Sequence, residues 1–286
     1  MIPIVHTRWL SKEVETDGHS PMYFLCDDGN YYYCKYRTQF KREELDCLVY
    51  EIVCQFLLKR LQIPTPDIAL AIIEKDSYDL RKLHKNKLYV DPGITCFASK
   101  EAPNTALVMG IQSISKKTEA NKFENIYDLI KIAMFDLWVE NDDRGRGSKE
   151  NYNLLLQPIR VQNSETGRAS TKFRWLAFDH AFTFGGLTNL RIFNKTMMPS
   201  HTFKLIESQY FKSFKKYFAP SVYESIVENF LALQPDEIET IIQSVFKQIP
   251  AEWESPKNLG ERIIEFLSDP RRIRSVKQLT MHSLKN

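Results

Sequence analysis

One stretch decides the fold of this 286-residue chain: Val139-Glu140-Asn141-Asp142-Asp143-Arg144-Gly145-Arg146-Gly147-Ser148-Lys149-Glu150-Asn151-Tyr152-Asn153-Leu154-Leu155. Apolar residues at helical spacing, from Ile126 to Trp138, lead into it and predict a helix. The stretch itself is a polar loop with two adjacent carboxylates, and the apolar run at its end predicts a buried strand. A second such run, residues 173–178, is followed by Asp179 and His180.

This order of helix, Asp loop, downstream Asn, strand, turn, strand and Asp is the one that protein kinases use. In that arrangement one carboxylate orients the substrate hydroxyl, while an Asn and a second Asp hold the metal on the ATP phosphates. The sequence therefore predicts an ATP-dependent phosphotransferase of the α+β class, with a bilobal, protein-kinase-like fold.

The first third of the chain supplies the other expected parts. Two strand-like runs flank the hairpin signal at residues 27–30 (Asp-Asp-Gly-Asn), and the second run ends at Lys35. Apolar residues at helical spacing then predict a helix over 43–61, with Glu51 near its middle and prolines after its end. In a kinase such a lysine contacts the ATP phosphates and the glutamate holds its ammonium. Taken singly, Lys35 could be a solvated strand residue and Glu51 a helix-rim residue.

The composition changes along the chain. A strand-rich beginning and a helix-rich remainder predict an N-terminal lobe at residues 1–104 and a helical C-terminal lobe at residues 105–286. Residues 100–104 are a candidate hinge beside the adenine. The basic run at residues 271–274 is interpreted as a solvated helix face, so we do not expect direct nucleic-acid binding.

Phosphoryl transfer requires positioning and cations more than covalent chemistry. We expect Asp143 to orient the attacking hydroxyl, with Asp142 as its competitor. Asn151 would hold one Mg²⁺ ion, with Asn153 as the alternative, and Asp179 would bridge the metal to the β- and γ-phosphates.

Three further residues are expected to contact the nucleotide. Lys35 would neutralise phosphate charge, while Gly18, Ser20 and their backbone amides would cover the phosphates. That turn is poor in glycine compared with the GxGxxG loop of kinases, which is a departure from the expected pattern.

The bulk properties are those of an ordinary globular protein. Net charge is +3, and 43% of the residues are apolar. The sequence shows neither a run long enough to span a bilayer nor a signal-peptide core, so no membrane contact is expected. The five cysteines form no CxxC pair, which favours reduced thiols and a cytoplasmic location.

With these motifs the chain resembles the HipA-like kinases, in particular the short HipA-related group without the extra N-terminal domain. The resemblance runs from about residue 16 to residue 275. It is carried by Asp28-Gly29, Lys35, Glu51, Leu-Gln-Ile-Pro-Thr-Pro at 61–66, Trp-Val-Glu-Asn-Asp-Asp-Arg at 138–144, Asn-Tyr-Asn-Leu-Leu at 151–155, Phe-Asp-His at 178–180 and Ile-Pro-Ala-Glu-Trp at 249–253.

The resemblance implies a serine/threonine-kinase-like fold that uses ATP and Mg²⁺, and it assigns the catalytic role to Asp143 because Arg144 follows it. Part of the family acts as toxins that are paired with antitoxins, so the resemblance also implies an antitoxin-like partner as one possibility. One departure is the spacing of eight from Asp143 to Asn151, longer than in DxxxxN. The inserted basic residues predict a bulged loop that is either mobile or binds an acidic substrate.

Three functions remain open from the sequence. The first is a kinase that phosphorylates a protein hydroxyl, including Thr16 or Ser20 of its own chain. The second is a small-molecule phosphotransferase with the same lobes. The third is a catalytically weak nucleotide-binding scaffold of a toxin–antitoxin-like pair, which the long loop would favour.

Overall fold

The computed structural model describes residues 1–16, 19–39, 43–109, 113–144, 151–162, 169–184, 196–200 and 204–286. The first lobe contains five strands, namely β1 (Ile4–Glu13), β2 (Met22–Cys26), β3 (Tyr31–Lys35), β4 (Ile68–Ile72) and β5 (Thr95–Lys100). They form a closed barrel in the order β1-β2-β3-β5-β4. The pairing of β1 with β4 is parallel, and the other pairings are antiparallel.

The predicted hairpin at residues 27–30 connects β2 to β3. Gly29 has φ +77°, in the left-handed region that glycine enters without steric cost. The alternation of side chains along β3 places Tyr32 and Cys34 in the barrel core and Lys35 on the opposite face. The hairpin therefore sets which face of the barrel Lys35 occupies.

The helix predicted over 43–61 is confirmed as α1 (Glu44–Arg60). It is buried along most of its length, including the polar residues Glu51 and Gln55. A helix that is covered on nearly all sides lies between two packed bodies rather than on a surface. Accordingly, α1 lies against the barrel of the first lobe and contacts the helical second lobe.

The second lobe combines a small sheet with a set of helices. The sheet is antiparallel in the order β6-β7-β8, with β6 (Ala106–Met109), β7 (Asn151–Gln162) and β8 (Ala169–Ala177). The helices are α2 (Lys117–Ala120), α3 (Asp128–Val139), α4 (Gln209–Lys215), α5 (Pro220–Asn229), α6 (Pro235–Phe246), α7 (Leu259–Ser268) and α8 (Pro270–Lys285). This is the two-lobed α+β arrangement that the sequence predicts. None of the described helices combines the length and apolarity needed to cross a membrane.

The helix that leads into the Asp loop is confirmed as α3, and it is the centre of the second lobe. All but two of its residues are buried, and it contacts α5, α8 and β8. The predicted boundary at residue 104 falls in the connection between β5 and β6; the division into residues 1–104 and 105–286 stays a prediction.

The interpretation of the basic run as a solvated face is wrong for one of its residues. Arg271 and Arg274 are exposed, but Arg272 is 1% exposed. Its guanidinium donates to the carbonyl oxygens of Leu137 (2.8 Å) and Trp138 (2.6 Å), the last turn of α3. Helix ends leave such carbonyls without partners. Arg272 therefore caps α3 from another helix, which no local sequence pattern reveals.

The same guanidinium pairs with the carboxylate of Glu140 at 3.1 Å. Glu140 is the residue after α3, it is 3% exposed, and its φ of +52° places it in the left-handed region. Arg272 thus fixes the point where the chain leaves α3 and enters the Asp loop.

We predict that Arg272→Ala lowers the free energy of unfolding by about 3–5 kcal/mol, because it leaves a carboxylate and two helix carbonyls buried without this partner. Urea unfolding followed by circular dichroism measures the change. Arg274→Ala, an exposed position on the same helix, should shift it by less than about 0.5 kcal/mol. Equal effects at the two positions would contradict the capping role.

Candidate active site

Lys35 brings together two carboxylates from other parts of the chain. Its Nζ donates to Oε1 of Glu51 at 2.6 Å and to Oδ1 of Asp179 at 2.8 Å. The Lys35 side chain is 8% exposed, and that of Glu51 is 4% exposed. Strand β3, helix α1 and the segment after β8 each contribute one charged group to this cluster.

The Glu51 carboxylate has a second partner. Its Oε2 accepts a hydrogen bond from the backbone N–H of His180 at 2.9 Å. The residue before it, Asp179, has φ +57°, a left-handed conformation that a non-glycine residue adopts only when its surroundings hold it there. Glu51 therefore connects α1 both to the Lys35 ammonium and to the backbone that presents the Asp179 side chain.

The charges of the cluster follow from burial and pairing. Burial alone would lower the pKa of Lys35, but Asp179 and Glu51 outweigh it and raise that pKa, so the side chain stays an ammonium. Burial likewise opposes ionisation of Asp179, yet the charge and hydrogen bond of Lys35 lower its pKa to about 2. Burial raises the pKa of Glu51 to about 7, with Lys35 opposing the shift.

The Asp loop brings Asp143 to the same region. Oδ2 of Asp143 accepts a hydrogen bond from Nδ2 of Asn153 at 2.9 Å. Asn153 also lines the cavity that contains Lys35 and Asp179, so its partner Asp143 lies close to that cluster. Burial and then the negative charge of Asp179 raise the pKa of Asp143. Asn141 supports the loop, because its side-chain oxygen accepts from the Asp143 backbone N–H at 3.1 Å.

The two adjacent aspartates have different surroundings. Oδ1 of Asp142 lies 2.5 Å from Nζ of Lys204, a lysine that is 3% exposed and also donates to the carbonyl oxygen of Asn141. Asp142 is thus held by a cation on one side of the loop, whereas Asp143 contacts Asn153. Sequence reasoning missed Lys204, an isolated lysine without any local signal.

Arg144 connects the Asp loop to α3 and to β7. It is fully buried and forms an ion pair with Asp136 of α3, Nε to Oδ2 2.7 Å. Its guanidinium also donates to the carbonyl oxygens of Tyr152 and Asn153 on β7, and it lies 2.9 Å from Nε2 of His180. Arg144 is therefore a structural cation and is not available to an acidic substrate, while the hypothesis for the loop as a whole stays a prediction. The other basic loop residues, Arg146 and Lys149, lie outside the described residues.

The remaining predicted residues are placed as follows. Gly18 and the side chain of Asn151 lie outside the described residues. Ser20 is 2% exposed, and its carbonyl oxygen accepts from Nδ2 of Asn86 at 2.7 Å. Its side chain does not line the cavity around Lys35, so the structure does not bring the Ser20 hydroxyl to the cluster. The role predicted for its backbone amide stays a prediction.

A cavity of about 440 Å³ opens between the lobes at this cluster. Its charged end contains Lys35, Glu51 and Asp179, and Asn153 also lines it. Apolar side chains from both lobes line the rest, namely Val14, Ile68, Phe97, Leu155 and Phe178. An apolar cavity with a few convergent polar groups is the usual form of a small-molecule site.

The predicted hinge, residues 100–104, borders this cavity. The backbone N–H of Glu101 donates to the carbonyl oxygen of Tyr31 and is thereby used within the sheet edge. For the N–H of Ala102, no hydrogen-bond acceptor is present among the described residues. Ala102 itself lines the cavity.

Barrel, buried Lys–Glu pair, Asp loop and interlobe cavity together define a protein of the kinase-like fold class. The family comparison agrees: a model described as HipA-like kinase matches residues 11–277. The chain belongs to the HipA-like kinase family. No curated protein matches its sequence.

A solved structure shows the same fold at low identity. The Helicobacter pylori proinflammatory kinase CtkA superposes with a TM-score of 0.51 at 11% identity, covering 98% of this chain and 99% of that one. A Golgi casein kinase with Mn/ADP bound gives a TM-score of 0.47 at 11% identity, covering 99% and 73%. A second Golgi casein kinase structure gives 0.47 at 12% identity, covering 99% and 71%. The predicted kinase-like fold class is confirmed.

We predict that Lys35→Met lowers the free energy of unfolding by about 3–5 kcal/mol at pH 8, since the buried Glu51 carboxylate and the partly buried Asp179 carboxylate lose their cation. The loss should be smaller at pH 5. Glu51 has a folded-state pKa above its unfolded value of 4.5, so its contribution to stability is present below pH 4.5 and lost as pH rises through about 7. In Lys35→Met the pKa of Glu51 loses the lowering effect of the Lys35 charge, so the free energy of unfolding should depend more steeply on pH.

Urea unfolding at pH 5, 6, 7 and 8 tests this dependence. Lys59→Met is the matched control, because Lys59 forms an exposed 2.7 Å pair with Asp67 at the end of α1. That pair should contribute less than about 1 kcal/mol at each pH. A Lys35→Met loss that does not change with pH would contradict the buried-charge account.

Proposed function

We propose that the protein is an ATP-dependent, Mg²⁺-requiring kinase that transfers the γ-phosphate to a serine or threonine hydroxyl of a protein. The observation that carries the proposal is the position of Lys35, held between Glu51 and Asp179 at the charged end of the interlobe cavity. Such a lysine neutralises the phosphates of a nucleotide whose base occupies the apolar part.

Asp179 and Asn153 are the residues proposed to hold the metal. Mg²⁺ prefers oxygen ligands and is usually held by one or two protein carboxylates together with substrate phosphates. The donor set fits that pattern, since Asp179 supplies one carboxylate and Asn153 one amide oxygen, and both residues line the cavity. Nδ2 of Asn153 donates to Asp143, so Oδ1 would be its ligand atom. Bound there, the ion would neutralise the β- and γ-phosphates. For Asn151 the same role stays a prediction.

Asp143 is proposed to orient the attacking hydroxyl. Its carboxylate can accept the proton of the hydroxyl, and its bond to Asn153 fixes its position beside the metal-binding residues. Asp142 is not proposed for this role because Lys204 holds its carboxylate.

The acceptor is proposed to be a protein. Of the two positions considered for transfer to the chain itself, Thr16 is exposed at the cavity, while Ser20 is buried under Asn86. Thr16 is therefore the better candidate.

Its phosphorylation would be found by mass spectrometry after incubation with MgATP, and Thr16→Val should remove it.

Two further proposals concern the surroundings of the enzyme. All five cysteines are buried free thiols, which is consistent with a reducing compartment such as the cytoplasm.

An antitoxin-like partner is proposed from the family alone. Co-purification of a protein encoded beside this chain, with loss of kinase activity in the complex, would support it.

We predict that Asp143→Asn lowers kcat by about 10²–10⁴-fold, because the amide cannot accept the hydroxyl proton. The measurement is transfer of labelled phosphate from ATP to a protein panel and to the chain itself, with Mg²⁺. Asp142→Asn is the matched control and should retain activity within about tenfold, since the Asp142 carboxylate is paired with Lys204 and not with the cavity-lining Asn153.

Three results would contradict the proposal. Labelling that survives Asp143→Asn would remove this residue from the chemistry. Labelling of small molecules but not of proteins would favour the alternative phosphotransferase. Nucleotide-dependent stabilisation without any transfer would favour the scaffold.

A further inference from the structure

Two neighbouring residues of β1 are both exposed to solvent. Side chains alternate between the two faces of a strand, and Thr7 occupies a buried position. Thr7 lies opposite Cys26, whereas Trp9 lies opposite the next residue of β2. The first strand therefore advances two residues while the second advances one, and a β-bulge of this kind redirects a side chain. As a result Trp9 is 49% exposed although it directly follows the exposed Arg8.

Its exposure distinguishes Trp9 from the other tryptophans. Trp138, Trp175 and Trp253 are each 1% exposed and belong to the core. An exposed indole leaves a large apolar area in water, and covering that area is favourable by about 25 cal/mol per Å². Tryptophan is accordingly enriched at the centre of protein–protein interfaces. Trp9 is therefore a candidate anchor for a binding partner.

The segment between β4 and β5 extends the surface around Trp9. Leu80 and Lys82 belong to one helical turn of this segment, and both are exposed, Leu80 to 46%. The Lys82 ammonium lies 5.4 Å from the centroid of the Trp9 ring. We call Arg8, Trp9, Leu80 and Lys82 the Trp9 surface. It combines two apolar side chains with two cations.

Hydrogen bonds fix this segment to β1. The backbone N–H of Leu10 donates to the carbonyl oxygen of Ser77 at 2.7 Å. Further along, Nδ2 of Asn86 donates to Oε1 of Glu13 at 2.9 Å. The turn that carries Lys82 lies between these two attachments. The Trp9 surface is therefore formed before any partner binds, which reduces the entropy lost on association.

The charge of the Trp9 surface is positive. Among the residues that the structure describes, neither the Arg8 guanidinium nor the Lys82 ammonium takes part in an ion pair. The nearby carboxylate of Asp79 is already paired with Arg81 at 2.7 Å. Lys87 adds a further exposed cation on the same segment. The complementary partner is thus acidic, since opposite potentials steer association and suppress wrong partners.

The surroundings favour a polypeptide over a nucleic acid. Sites for single-stranded nucleic acids combine a continuous groove of cations with several stacking rings. The Trp9 surface has one ring, and the carboxylates of Glu13 and Glu15 line a hollow with Lys85 further along the segment. Those carboxylates interrupt the positive charge that a phosphate backbone would follow. A short acidic segment with one apolar side chain needs only the Trp9 surface.

We propose that the Trp9 surface docks a partner protein through a short acidic segment that contains an apolar residue. The apolar side chain packs on Trp9 and Leu80, while carboxylates of the segment pair with Arg8 and Lys82. This contact involves neither the nucleotide nor the residues proposed for catalysis, so it stands independently of the proposed function.

Selection of a random peptide library on the full chain tests the inference, with the affinities of the selected peptides measured by fluorescence anisotropy. The variants are Trp9→Ala and Lys82→Glu. Arg274→Glu is the matched control, because it makes the same change of charge at an exposed position of the second lobe. A labelled DNA duplex and a labelled DNA single strand are titrated in parallel. Thermal unfolding establishes that each variant is folded.

Selected peptides should be enriched in Asp and Glu around an aromatic or aliphatic residue. Trp9→Ala and Lys82→Glu should each weaken their binding by more than about tenfold, since each removes a central contact. Arg274→Glu should stay within about threefold of the wild type, because salt screens a distant exposed charge. Binding should weaken as the salt concentration rises. If Trp9→Ala does not fold, Lys82→Glu decides alone, since its side chain is exposed.

Several results would overturn the inference. These are a selection that yields no binding peptide, peptides without acidic residues, and peptides that bind Lys82→Glu as tightly as the wild type. DNA binding that is lost in both variants would assign the Trp9 surface to nucleic acid instead. Phosphate transfer by the same preparations reports on the proposed function separately, so either idea can fail while the other stands.

Discussion

The structure depends on burial of one ammonium group. Removing a charge from water costs several kcal/mol unless oppositely charged groups surround it closely. For Lys35 those groups are Glu51 of the first lobe and Asp179 of the second, at 2.6 and 2.8 Å. The barrel, α1 and the segment after β8 must therefore come together before this charge is compensated. The interlobe cavity lies beside this cluster, and Lys35, Glu51 and Asp179 all line it.

Other buried cations determine how the second lobe presents its carboxylates. Arg272 caps α3 and pairs with Glu140, Lys204 holds Asp142, and Arg144 connects the loop to β7 and to His180. Each of these groups satisfies backbone carbonyls or acids that the turn after α3 would otherwise bury without partners. As a result, two adjacent aspartates that look equivalent in the sequence have different roles. One is structural, and the other is available for the chemistry that we propose.

Local patterns predicted much of this arrangement. Helical spacing gave α1 and α3, and the order of motifs gave the kinase-like fold and brought Lys35, Glu51, Asp143 and Asp179 together as candidates. Long-range contacts were beyond such patterns. Nothing near Arg272 or Lys204 indicates burial, because their partners are far away in the chain. Strand β6 was missed since it is only four residues long and half exposed. The tyrosines of β3 can be seen in the sequence, but only the structure shows that Tyr33 lies on the same side of the strand as Lys35 and lines the cavity.

We propose that Lys35, Asp179, Asn153 and Asp143 surround the phosphates of one bound nucleotide. A crystal structure with Mn²⁺ and a non-hydrolysable ATP analogue tests it most directly, because the anomalous signal of manganese locates the metal. We expect manganese to be bound by oxygens of Asp179 and Asn153, with the Lys35 ammonium on the phosphates and the terminal phosphate facing Asp143. Manganese and nucleotide bound away from this cavity, with the Lys35 cluster unchanged, would contradict it.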